Sequence, residues 1–450
     1  MIIIGAGQAS VPLAQALTEA GRRVALAERS EHLGGSCVNF GCTPTKAVIA
    51  SAKLAHEARR AGEFGLKLGA VEVDYAAVIE RAKAIRDESR ESNAESVAKM
   101  DGVTRLTGHA QLDGKDGKGF KVNVGDTAFR AKQVVLSTGT RSALPPIEGL
   151  EDVEVITAEN WLELPELPEH LLIVGGSYIG LEMAQIYRRL GSKVTVVESG
   201  KTVAEREDPD VSEAMQALLE AEGIVFHLGQ EAKRVTRAGG ALVLELSDGS
   251  EARGTHLMMA SGRQPNTDEI GLETVGVKTD DAGFIEVDER LGSSVPGIWV
   301  AGDIRGGPMF THSAYDDFEV LTSQLLGDAS GTTERLVPYA MFIDPQLGRV
   351  GLSEQQAKEA GKTFRVATYD MKKNGRAREL GAREGFIKVV VDTDSSKILG
   401  AAVLAAEGAE LVHIYIALMN AGAPYTVLDE AIHIHPTLSE AVKSVVKSLP

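Results

Sequence analysis

The chain opens on an unbroken apolar run, Met1-Ile2-Ile3-Ile4, which stops at Gly5-Ala6-Gly7. A helical pattern follows, then a second apolar run, Val24-Ala25-Leu26-Ala27, closed by Glu28. The same succession returns at Leu172-Ile173-Val174, Gly175-Gly176, a helical stretch, and Val194-Thr195-Val196-Val197 closed by Glu198. Continuous apolar runs predict strands buried on both faces, and their alternation with helices predicts parallel sheets. In the second helical stretch Ile179, Met183, Ile186, Tyr187 and Leu190 share one face, which predicts a core stripe. Residues 75–100 predict one long, half-solvated helix whose short apolar stripe is Tyr75, Val78, Ile79, Ala82 and Ile85. Gly114 to Gly119 predicts a surface turn, and the prolines of 144–146 and 164–168 predict connections between domains. Past about residue 338 the pattern changes. Strands at Phe386–Val391 and Ile398–Val403 and a helix from about Glu410 to Ala421 predict a separate α+β domain with no glycine signature of its own.

Each of the two early repeats reads strand, glycine turn, helix, strand, acidic residue. That is the dinucleotide fingerprint in its βαβ setting. Glycines let the backbone approach a pyrophosphate, the helix N-terminus attracts its charge, and the carboxylate accepts hydrogen bonds from ribose hydroxyls. Gly5, Gly7 and Glu28 carry the first copy, and Gly175, Gly176, Gly180 and Glu198 the second. Both copies are imperfect: Ser10 stands where the first would have its third glycine, and Ser177 where the second would have its middle one.

A length of 450 residues suits about three domains. The net charge of −17 argues against nucleic acid or anionic lipid as partners. No apolar run approaches the roughly 18 residues of a membrane helix, and no leader pattern precedes the first strand, so a cytoplasmic location is expected. The only two cysteines sit together in Gly34-Gly35-Ser36-Cys37-Val38-Asn39-Phe40-Gly41-Cys42-Thr43-Pro44-Thr45-Lys46. Their spacing lets Cys37 and Cys42 close a small disulfide. Thr43 as N-cap and Pro44 at the first helical position predict a helix whose positive end lies at Cys42, with Lys46 one turn in; both features stabilise a thiolate. A redox-active pair fits better than two unrelated buried thiols.

These motifs together resemble the FAD-dependent pyridine nucleotide–disulfide oxidoreductases, the family of glutathione reductase, lipoamide dehydrogenase and mercuric reductase. The cysteine stretch looks like the family's active-site signature, in which Gly35 and Ser36 also meet the flavin nucleotide. Ile298-Trp299-Val300-Ala301-Gly302-Asp303 resembles the second FAD motif, whose aspartate holds the ribityl chain. Ser137-Thr138-Gly139 and Gly262-Arg263-Gln264-Pro265-Asn266 match motifs that close the nucleotide domains, and His435-Pro436-Thr437-Leu438-Ser439-Glu440 matches that of the catalytic histidine and its glutamate. Phe310-Thr311-His312-Ser313-Ala314-Tyr315-Asp316-Asp317-Phe318 and Thr45 point to the mercuric-reductase-like branch, which includes the reactive-chlorine-resistance flavoproteins; Thr311 and His312 are expected at the cofactor. The absence of a third cysteine argues against mercury or thioredoxin as dedicated substrates.

The resemblance implies an α/β fold: an FAD-binding domain from 1–145 with a return segment 266–337, an NAD(P)-binding domain at 146–265, and an α+β dimerisation domain at 338–450. It implies hydride transfer from nicotinamide to flavin, then reduction of a Cys37–Cys42 disulfide. Cys42 would be the thiolate against the flavin and Cys37 the thiol that meets a small oxidised substrate. Lys46 and Glu182 would pair beside the flavin, Tyr178 would cover its face until nicotinamide enters, and Ile179 is expected among the residues at the nicotinamide. His435, oriented by Glu440, would be the general acid/base and would come from the other subunit of a C2 homodimer. His433 is read as structural, and no metal site is expected. Glu198 can bond the ribose of NAD but would repel a 2′-phosphate, and Lys201 is the only cation close by, which favours NADH over NADPH. Two other readings remain open. One is a dihydrolipoyl dehydrogenase, which oxidises a dithiol with NAD; the other is a flavin-bearing assembly protein with an idle redox centre.

Overall fold

The computed structural model describes residues 1–450. Its first sheet is parallel throughout, in the spatial order Ile298–Val300, Val134–Leu136, Ile2–Ile4, Val24–Glu28, Val103–Thr107. Ile2, Ile3 and Ile4 are buried because both faces are covered, Ile3 by helices through Leu13, Leu17 and Leu321, and Ile2 and Ile4 by an antiparallel meander through Phe120 and Val122, which is why this run shows no polar alternation. The second sheet repeats the plan: Val225–Leu228, Lys193–Glu198, His170–Val174, His256–Met259 and Val155–Ile156, again all parallel. In each, a three-stranded antiparallel meander (residues 110–131 and 232–254) comes before the strand that returns to the sheet. The repeat seen in the glycine motifs is therefore a repeat of whole topology.

The chain leaves the first unit along Thr140–Ser142 and re-enters it along Arg263–Pro265, and these two passages pair as an antiparallel ribbon. The C-terminal unit is a five-stranded antiparallel sheet, Tyr339–Met341, Gln346–Gly351, Ile398–Ala405, Phe386–Asp392 and Phe364–Asp370. Helices Gly408–Asn420 and Glu440–Lys447 close its core through Leu411, Val412, Tyr415, Val442 and Val445. The α/β class with two dinucleotide-type units and an α+β C-terminal unit is the one expected.

Helix Tyr75–Ala98 occupies the expected place, capped by Asp74 accepting from the Ala77 amide, with Tyr75, Ile79 and Ala82 buried. Two local expectations need correction. The 114–119 segment is mostly strand: Ala110–Asp116 and Gly119–Val124 pair up to Asp116, and only Gly117 and Lys118 turn. The helix after the cysteine motif starts at Cys42, not after Thr43. Gly41 is its N-cap residue and no side chain caps it. The Gly41 amide turns back onto the Ser36 carbonyl at 2.7 Å, which ends the short helix Gly35–Asn39 and releases the chain one residue early.

The three units are pinned together. Helix Tyr178–Leu190 presents buried Glu182, Gln185 and Arg189 along one face to residues 342–344 of the C-terminal unit. Glu182 accepts from the Phe342 amide (2.8 Å), Gln185 exchanges two hydrogen bonds with the Asp344 backbone, and Arg189 pairs with the Asp344 carboxylate (2.8 Å). Farther along, buried Lys388 meets Asp208, Asp210 and Glu354 at 3.1, 3.0 and 2.8 Å.

Candidate active site

The early start of the helix puts Cys42 in its first turn, among unpaired backbone amides and at the positive end of the helix dipole. Both cysteines stand as thiols, Cys37 half-buried and Cys42 exposed to the main cavity. The Cys42 sulfur lies 3.2 Å from the Thr311 hydroxyl. Its pKa is lowered to about 6, first by the hydrogen bond from Cys37 and then by those of Thr311 and by the Lys46 charge, against the opposing effect of burial. Cys37 moves the opposite way, because it donates to Cys42 and is partly buried. The pair thus divides into one thiolate and one protonated thiol.

Lys46 Nζ is 2.6 Å from the buried Glu182 carboxylate and 4.5 Å from the centre of the Phe342 ring. A cation is therefore fixed one turn behind Cys42, on a side chain held from two other units.

All of this faces one cavity of about 1460 Å³. At one end are Gly5, Gly7, Gly35, Ser36 and Glu28. Glu28 accepts from the Ala6 amide (2.9 Å) and the Ser30 amide (3.0 Å). A side chain on Gly35 would strike the Gly7 backbone at 2.9 Å, so the two turns touch and leave a floor of bare backbone; one on Gly7 would meet nothing within 4 Å and would stand in the cavity. Thr138, Gly139 and Asp303 follow along the wall. Asp303 is half-buried on the cavity wall, its pKa raised by burial, and its one hydrogen bond from a protein side chain is a long one from Thr140 (3.4 Å). Such a carboxylate needs further donors, and the hydroxyls of a ribityl chain are suitable ones. The bare turns, the ribose-type carboxylate and this under-partnered aspartate fit an extended dinucleotide such as FAD. Tyr178, Ile179, Arg263, Thr311 and His312 complete the wall near the thiols. Ile179 packs on the core and lines the cavity at once. Arg263 is committed to Thr140, donating to its hydroxyl (2.6 Å) and carbonyl (2.8 Å). His312 Nε2 bonds the Pro338 carbonyl.

The second glycine turn lies outside this cavity, beyond Tyr178. A side chain at Gly180 would meet the Gly175 carbonyl at 2.0 Å, which fixes the third glycine of this copy. In the first copy Ser10 is fully buried and its hydroxyl finds no partner. Ser177 is exposed and makes no cap bond, so the first turn of helix Tyr178–Leu190 keeps free amides. Glu198 is held by the amides of Gly176 (2.5 Å) and Gly200 (2.6 Å), and the Glu205 carboxylate lies near the same spot. Gly262, with φ +137°, closes the neighbouring turn at the end of the strand ribbon.

His435 and Glu440 are likewise outside the cavity of their own chain. His435 Nδ1 is 3.0 Å from Glu440, which also accepts from the Thr437 amide, and the ring is largely exposed. Ile432 and Ile434 beside it are bare, with Ile432 fully exposed. His433 is tied to the Leu428 carbonyl at 3.3 Å. Sequence reasoning did not find Phe342 or Tyr339 at the cavity, and no motif announces them, since each matters through partners far away in the chain; Phe310 opens the 310–318 motif, which assigns it no role of its own.

The chain belongs to the pyridine nucleotide-disulphide oxidoreductase family: the family model matches residues 1–317, and the model of that family's dimerisation domain matches residues 337–446. It is a flavoprotein that uses FAD and a nicotinamide nucleotide in disulfide chemistry, and it carries a dimerisation domain. Among characterised relatives it is 32% identical to the probable pyridine nucleotide-disulfide oxidoreductase RclA of Escherichia coli (strain K12), over 99% of this chain and 98% of the relative. It is also 32% identical to a dihydrolipoyl dehydrogenase of Cupriavidus necator, over 98% and 96%. Among solved structures, the Cu(II) complex of the HOCl-induced flavoprotein disulfide reductase RclA from Escherichia coli superposes with a TM-score of 0.91 at 31% identity, over 99% of both chains. No helix is long and apolar enough to cross a membrane.

Proposed function

We propose that the protein is an NADH-dependent reductase of small disulfides or related thiol-reactive oxidants, working through Cys37 and Cys42 in a homodimer whose two active sites are shared between subunits. The observation that carries this is the thiol pair itself. One member is held as a thiolate by its partner, by Thr311 and by Lys46, in the wall of a cavity fitted to a flavin nucleotide.

The first glycine turn, Glu28, Thr138, Gly139 and Asp303 hold the FAD, with Gly35, Ser36, Thr311 and His312 around it. A bound flavin supplies two-electron relay between nicotinamide and disulfide. Cys42 faces it as the thiolate, and Lys46, held by Glu182, offsets negative charge at that face. Cys37 attacks the substrate disulfide, forms a mixed disulfide and releases one substrate thiol; Cys42 then attacks Cys37, releasing the second and closing the Cys37–Cys42 bond. His435 of the partner subunit takes and returns the proton on Cys37 and on the leaving thiol, steered by Glu440. Exposure of His435 and of its apolar neighbours suits a surface that is covered by a second copy.

Glu198 selects NADH. A carboxylate at this place in the fingerprint accepts from ribose hydroxyls and repels a 2′-phosphate, Glu205 lies close by, and no arginine immediately follows Glu198. The protein stands as a cytoplasmic enzyme in this reading. Dihydrolipoyl dehydrogenase is the second reading, favoured by the His435–Glu440 pair and by the Cupriavidus relative.

The test is anaerobic titration of the flavin-loaded protein with NADH, followed by a panel of oxidants. Small disulfides, lipoamide, and Cu(II), the ion of the RclA structure, all belong in it. A long-wavelength absorbance after the first two electrons reports the Cys42 thiolate beside oxidised flavin, and the oxidant that discharges it fastest names the substrate. Bleaching with no such band would remove the thiol pair from the electron path. Fast NAD-linked oxidation of dihydrolipoamide, with slow discharge by every oxidant, would favour the second reading.

A further inference from the structure

Beside Tyr178 the cavity wall is a stack of rings that belongs to neither glycine motif nor to the thiol motif. The Phe310 ring centre is 5.9 Å from that of Tyr178, tilted by 43°. It lies 5.5 Å from Tyr339, almost parallel at 5°, and 5.3 Å from His312, at 7°. The far end of the stack is anchored. The Tyr339 hydroxyl donates to Glu207, a buried carboxylate of the second nucleotide unit, and Glu207 pairs at 2.8 Å with the buried Arg349 of the C-terminal sheet. Arg349 is itself fixed by donating to the Ala401 carbonyl (2.8 Å). Burial also raises the hydroxyl pKa of Tyr339, so it stays a donor. Phe310 is therefore wedged between a ring bolted to two units and the ring of Tyr178.

We propose that Phe310 and Tyr339 are positioning residues that hold Tyr178 in its resting place, so that this stack sets how readily the nicotinamide ring gains entry. The inference rests on the reading of Tyr178 as the residue that covers the flavin face. Tyr178 must leave its place before nicotinamide can take it. Whatever contact it keeps at rest counts against the nucleotide, since only the open fraction binds. Tilted aromatic contacts are directional, and replacing Phe310 by an aliphatic side chain keeps the apolar fill while removing that preference.

The experiment is anaerobic stopped-flow reduction of the flavin-loaded protein by NADH, comparing wild type with Phe310→Leu, Tyr339→Phe and Tyr178→Ala. Phe310→Leu is expected to lower the apparent Kd for NADH roughly two- to tenfold, with the limiting rate kept within about twofold. Tyr339→Phe retains the ring but frees it from Glu207, and shifts Kd in the same direction by less. An unchanged Kd in Phe310→Leu, beside a lowered Kd in Tyr178→Ala, overturns the proposal and leaves the role of Tyr178 standing. An unchanged Kd in Tyr178→Ala shows that this ring is no cover, and both ideas fall together. If Phe310→Leu fails to fold, Tyr339→Phe decides: a wild-type Kd there overturns the proposal.

Discussion

Removing the Thr311 hydroxyl tests the thiolate directly. It lies 3.2 Å from the Cys42 sulfur, and Thr311→Val removes the donor while keeping the shape of the side chain. A hydrogen bond to a charged acceptor contributes about 1.5–3 kcal/mol, and the diffuse charge of sulfur places this one at the low end, near the ~1.4 kcal/mol that equals one pKa unit. Thr311→Val should therefore raise the Cys42 pKa above its value of about 6 by roughly that much. Ultraviolet thiolate absorbance, or the pH dependence of alkylation, reads the shift. Thr311→Ser keeps the hydroxyl and should titrate like wild type. Cys37→Ala removes the larger contribution and should raise the pKa further than Thr311→Val. In the wild type the folded pKa lies below the unfolded value of about 8.5. The thiolate's contribution to stability is therefore complete above about pH 8.5 and fades as pH falls through about 6. If Thr311→Val and wild type titrate together, the hydroxyl does not stabilise the thiolate and the account of Cys42 is wrong.

Other consequences can be checked separately. His435→Gln should leave NADH-driven flavin reduction intact and slow disulfide turnover by about 10²–10⁴-fold; full turnover would discard the acid/base assignment. Glu198→Ala should raise kcat/KM for NADPH relative to NADH, and an unchanged ratio would mean that selectivity lies elsewhere. Lys388→Met takes the cation from the buried Asp208 but leaves it the Glu354 and Gln355 amides (3.0 and 3.1 Å), while Asp210 and Glu354 can turn to water, so stability should fall by about 1–3 kcal/mol, less than for a fully uncompensated buried charge. A thermal melt unchanged from wild type would refute that estimate.

The architecture was legible wherever a local rule acts alone. Ile2–Ile4 reads as a fully buried strand because nothing polar interrupts it, and Gly175 and Gly180 read as a turn because their backbones touch. The register of the Cys42 helix was not legible. Thr43-Pro44 is a good start signal, but the return of the Gly41 amide onto Ser36 overrides it, and that contact depends on how the preceding short helix ends. The Lys46–Glu182 pair could be expected only through family likeness, since the partners are far apart in the chain. The seam made by Glu207, Tyr339, Arg349 and Lys388 gave no signal at all. Singly, each looks like an ordinary surface residue, and only the packed units reveal Glu207 set against Arg349 and Tyr339, and Lys388 against Asp208.

The three-point attachment of helix Tyr178–Leu190 to residues 342–344 limits how this machine can move. A nucleotide-binding unit free to swing could admit its ligand by opening like a jaw. Here Glu182, Gln185 and Arg189 rivet the helix that carries Tyr178 to the C-terminal unit, and Lys388 adds a fastening farther along the same seam. The frame is therefore braced, and on the reading of Tyr178 as the cover of the flavin face, admission falls to a single ring turning about its own side-chain bonds. On that reading the door opens by rotation of one side chain, while the rivets, through Glu182, hold Lys46 in place one turn behind Cys42.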